Sequence, residues 1–100
     1  MIISFEYKEN PHSLMRRCGY VFDRKKNDEL AFSRSLGASR SGYPKFHVYL
    51  KVDESSRETV INLHLDQKKP SYKETSAHSA EYEGELVERE AERIKQILGL

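Results

Sequence analysis

The sequence predicts an α+β domain: a small antiparallel sheet of three to five strands, with a C-terminal amphipathic helix and a short N-terminal helix packed on one face. Two observations carry this expectation. Residues 45–52 and 59–66 alternate apolar and polar side chains around a short polar segment, the period-2 signature of a half-buried hairpin. Near the C-terminus, Val87, Ala91, Ile94 and Leu98 recur at helical spacing, which demands one buried stripe. With 100 residues, 37% of them hydrophobic and 33% charged, the chain is expected to form a single domain over 1–100 with one two-layer core.

From the N-terminus, Ile3, Phe5 and Tyr7 alternate with Ser4 and Glu6 as a short strand does. Asn10-Pro11 reads as an N-cap followed by proline in the first helical turn. Leu14, Met15 and Cys18 form the apolar side of that helix and Gly19 closes it. Residues 20–37 are ambiguous. Segments 20–22 and 30–32 are expected as two strands around a charged turn at 23–29, with Leu30, Phe32 and Leu36 on one face, and a helix over 25–34 is the alternative. Residues 37–42 have the composition of a flexible linker, and 67–80 form a long polar loop.

In the hairpin, Phe46, Val48, Leu50 and Val52 share one face, and Thr59, Ile61, Leu63 and Leu65 share the matching one. Pairing apolar with apolar permits only even registers. The most compact one, given a turn over 53–58, sets Val52 against Thr59 and Phe46 against Leu65. For the C-terminal helix, the start lies between Ser79 and Gly84, the end is at Gly99, and Glu81, Glu83 and Glu85 are expected near the positive end of its dipole.

The charge is uneven: residues 1–73 carry 14 Lys and Arg against 9 Asp and Glu, whereas 74–100 carry 3 against 7. A lone cysteine, Cys18, forms no internal disulfide and supplies no cysteine-based zinc site; on the apolar side of a helix it is expected to be a buried, inert thiol. Without an apolar run long enough to span a bilayer or act as a leader, the expectation is a cytoplasmic protein with no membrane partner. Phosphate-loop glycines, zinc-finger spacings, His-Glu-x-x-His and Gly-x-Ser-x-Gly are absent.

Chemistry concentrates on the polar face of the hairpin. The chosen register sets His47 opposite His64, with Asp66 two residues further on the same face. Imidazole nitrogen with carboxylate oxygen suits Zn²⁺, Mn²⁺ or Fe²⁺, so His47, His64 and Asp66 are candidate ligands of a divalent metal on an exposed sheet face, with His78 as a fourth. A histidine held by Asp66 is equally a candidate general base, and a solvated sheet face carries such residues without any ligand. Lys45, Tyr49 and Asn62 surround the group and are candidate ligand-binding residues. The same face, with Lys68, Lys69 and Tyr72 of the 68–73 segment and with Arg34, Arg40 and Tyr43, offers cations and aromatics for single-stranded nucleic acid or RNA. A protein-interaction surface is the third reading. His12, beside Pro11, is expected to be a surface histidine.

Overall fold

The computed structural model describes residues 1–37, 42–67, 80–81 and 83–100. Its elements run β1 (Ile2–Glu6), α1 (Pro11–Arg17), β2 (Val21–Lys26), β3 (Glu29–Ser35), β4 (Lys45–Asp53), β5 (Glu58–Asp66), β6 (Ala80–Glu81) and α2 (Glu85–Leu98). The strands form one antiparallel sheet in the order β1-β5-β4-β3-β2, and the two-residue β6 also pairs with β5. The fold is the α+β domain that the periodicities predict. Among the described residues, no helix is long and apolar enough to cross a membrane.

The central hairpin has the register set by apolar pairing: Phe46 opposes Leu65, Val48 Leu63, Leu50 Ile61 and Val52 Thr59. Its turn is fastened by the Asp53 side chain, which accepts from the backbone N–H of Ser55 at 3.0 Å and from the Ser55 hydroxyl at 2.7 Å. Such an Asx turn replaces ladder bonds that the chain loses as it reverses. Strand β1 adds to β5 with Ile3 opposite Ile61.

Within residues 20–37 the chain forms the two strands β2 and β3, and the helical alternative over 25–34 is overturned. The turn is also much tighter than 23–29. Only Asn27 and Asp28 lie between β2 and β3, because Asn27 adopts φ 57° and closes a two-residue hairpin. Asp23 interrupts the β2–β3 ladder between Phe22 and Arg24, and its carboxylate accepts from the Ser33 hydroxyl at 3.0 Å. Leu36 does not join the core face; it lies past the end of β3 and is exposed.

Helix α1 begins as expected, with Asn10 Oδ1 accepting from the His12 N–H at 2.8 Å and Pro11 following. Helix α2 lies between its N-cap Gly84 and Gly99, whose φ of 74° forms a left-handed C-cap. Glu81 belongs to β6 and so stands outside the helix's first turn. Val87, Ala91 and Ile94 are buried with Leu14, Met15, Phe32, Phe46, Val48, Leu50, Ile61, Leu63 and Leu65 in one core, and Leu98 packs at its margin. His12 is not a plain surface residue: its ring meets those of Phe22 and Phe32 edge-on, with centroids at 4.9 and 5.7 Å. The core therefore fills one side of the β4–β5 hairpin and leaves the other side to its polar residues.

Candidate metal centre

Alternation along β4 and β5 sends His47, Tyr49, Asn62, His64 and Asp66 to the face opposite the core. His47 and His64 are directly paired, as are Tyr49 with Asn62 and Lys45 with Asp66. Because the apolar pairs fix the ladder from the other side, these contacts need no turn or loop to hold them in register.

Three potential ligands converge. One atom each from His47, His64 and Asp66 can be chosen so that all lie within 4.8 Å of one another. Asp66 Oδ2 stands 3.1 Å from His64 Nε2 and 2.5 Å from His47 Nδ1, the latter contact lacking hydrogen-bond geometry. Donor atoms around a tetrahedral zinc ion are about 3.3 Å apart, given metal–ligand bonds near 2.0–2.1 Å.

The group is more enclosed than a solvated sheet face. His64 and Asp66 are 5% and 7% exposed, and only His47 is half-buried, which corrects the expectation of an exposed site. Stacking is one physical reason. The His47 and Tyr49 rings of β4 both stack near-parallel to His64, with centroids at 5.3 and 5.5 Å. Burial pushes the His64 pKa below the ordinary imidazole value and neighbouring His47 adds to this, while Asp66 works in the opposite direction. Neutral imidazole is the form that a metal requires.

Tyr43 and Asp23 border the triad. Partial burial, followed by the carboxylates of Asp66 and Asp23, holds the Tyr43 phenol above its ordinary pKa. Asp23 escaped the sequence reading because its place depends on an irregularity in the β2–β3 ladder, which no periodicity reveals. Arg34 is turned elsewhere, its Nη1 reaching Glu90 Oε1 at 3.4 Å beneath α2. Asn62 is half-buried beside Tyr49.

Tyr49 was a candidate platform for a nucleic-acid base, and one side of its ring is engaged with His64. His78, Arg40, Lys68, Lys69 and Tyr72, and most of both loops at 37–42 and 67–80, lie outside the described residues. Comparison with known proteins adds no neighbour: no family model, no curated protein and no solved structure matches this chain.

Proposed function

We propose that the domain binds one divalent transition-metal ion through His47, His64 and Asp66. The observation that carries this reading is the convergence of the three donors on one face of the paired strands β4 and β5, towards the open end of their hairpin, within 4.8 Å of one another. Two imidazoles and one carboxylate suit Zn²⁺, Fe²⁺ or Mn²⁺ better than Ca²⁺ or Mg²⁺, which prefer all-oxygen shells. Three protein donors also leave a coordination position open, the arrangement of metal sites that act on a ligand. His78, the fourth donor the sequence suggests, lies outside the described residues, and three donors suffice for the reading.

The test is a calorimetric titration of chelator-stripped protein with Zn²⁺, Mn²⁺ and, without oxygen, Fe²⁺. One ion per chain is expected. His47→Ala, His64→Ala and Asp66→Ala should each weaken binding by roughly two orders of magnitude or more, whereas Lys51→Ala on the same face should change little. His78→Ala decides between three and four protein donors. Absence of binding by all three ions, or a His64→Ala variant that binds as tightly as the parent, refutes the reading. The group is then a buried polar cluster with Asp66 between two imidazoles.

A further inference from the structure

A cation beside the triad is not used by the metal-binding reading. Lys45 opposes Asp66 in the β4–β5 ladder and precedes His47 by two residues on the same face. Its side chain is half-buried, with Nζ 4.9 Å from the centroid of the Tyr43 ring. Gly42 closes over it: a Cβ there would stand 3.6 Å from Nζ and 3.7 Å from Ser35 Oγ. The ammonium thus stands beside the Tyr43 ring and the Gly42 backbone. Among the described residues, Lys45 has no carboxylate within ion-pair distance, Asp66 included.

We propose that the metal centre takes a small oxyanion as its further ligand, the carboxylate or phosphate group of a small molecule, with Lys45 holding a second oxygen of that group. The inference rests on the metal-binding reading above. A divalent ion with two neutral imidazoles and one carboxylate keeps one positive charge, and the Lys45 ammonium adds another. Asp23, whose carboxylate acts on the neighbouring Tyr43 phenol and accepts from Ser33, leaves the site net positive even when counted. In a partly buried setting such unbalanced charge attracts an anion more strongly than it would in water. Lysine serves oxyanions as a compact point charge with three donors, and a ligand oxygen on the metal places the rest of the group towards that charge.

Cobalt(II) provides the test, because the visible absorption of the Co²⁺-loaded protein reports changes in its coordination. Titrating that protein with acetate, and separately with inorganic phosphate at constant ionic strength, should give a saturable spectral change. The tighter of the two anions identifies the group preferred. Lys45→Met should still take up one Co²⁺ per chain and bind the anion about tenfold more weakly, with Lys45→Arg recovering part of the loss. A Co²⁺ spectrum indifferent to both anions overturns the proposal while leaving the metal site standing. Equal anion affinity in Lys45→Met overturns it as well. A protein that takes up no Co²⁺ overturns both the metal reading and the oxyanion.

Discussion

The Tyr20 hydroxyl donates to Glu90 Oε2 at 2.6 Å, joining two buried residues that are 70 positions apart in sequence. The same carboxylate accepts from Arg93 Nε at 2.7 Å and Nη2 at 2.9 Å, and Arg93 Nη2 also donates to the Cys18 carbonyl at 2.5 Å. One acid on α2 therefore ties together the helix, the end of α1 and the start of β2. Tyr20→Phe removes a buried hydrogen bond to a charged group and should cost about 1.5–3 kcal/mol in a denaturant titration. Glu90→Ala should cost more, since it strands the Tyr20 hydroxyl as well as unpairing Arg93 and Arg34. The two arginine side chains are 33% and 30% exposed and can turn to water, which limits that excess. A Glu90→Ala variant as stable as the parent would show that the network is dispensable.

The apolar stripe of α2 gives a sharper expectation. Ile94 is fully buried against the sheet, whereas Leu86, on the same helix, is 47% exposed. Ile94→Ala should lower stability by about 2–5 kcal/mol, and Leu86→Ala by much less than that. Similar denaturation midpoints for the two variants would contradict the packing described.

Metal binding should be visible in thermal melts. An ion that binds the folded chain alone at a free concentration of about 100 times its Kd adds about 2.7 kcal/mol. For a domain of this size that is a rise of roughly 10 °C or more in the midpoint. Chelator should reverse the rise, and His64→Ala should abolish it. A melting curve unchanged by Zn²⁺, Mn²⁺ and Fe²⁺ would contradict the site.

Cys18 is fully buried, and burial pushes its thiol pKa up, with Arg93 and Arg17 only partly offsetting the effect. The folded chain should therefore resist thiol reagents at neutral pH and react only on unfolding. The sign of the pH effect follows. A thiol whose folded pKa is raised keeps its proton while the unfolded chain loses its own above roughly pH 8.5, so this contribution to stability is intact below that pH and declines above it. Cys18→Ala should flatten the alkaline limb of the stability profile. Rapid labelling of the native protein at pH 7 would contradict the burial.

Local patterns determined much of this molecule. Period-2 alternation in 45–52 and 59–66 decides which side chains share a face, and a one-residue slip would place every apolar side chain in water. The pairing of His47 with His64, and the approach of Asp66, were legible for that reason. The caps at Asn10 and Gly99 were legible because they answer backbone needs within one turn of the chain.

Other features depended on partners distant in sequence, and only the tertiary structure decided them. Glu90 sits on the core side of α2, a position where a charge is costly unless paired, and its partners Tyr20 and Arg34 arrive from 70 and 56 residues away. The enclosure of His64 and Asp66 arises where rings of neighbouring strands stack over a face that alternation alone marks as solvent-exposed. Asp23 borders that face through an irregularity in the ladder, and the Lys45 ammonium has its place because Gly42 and the Tyr43 ring close over it. Sequence periodicity tells a side chain which way to point; how deeply it is buried, and which charges it meets there, depends on the strands and helices that close around it.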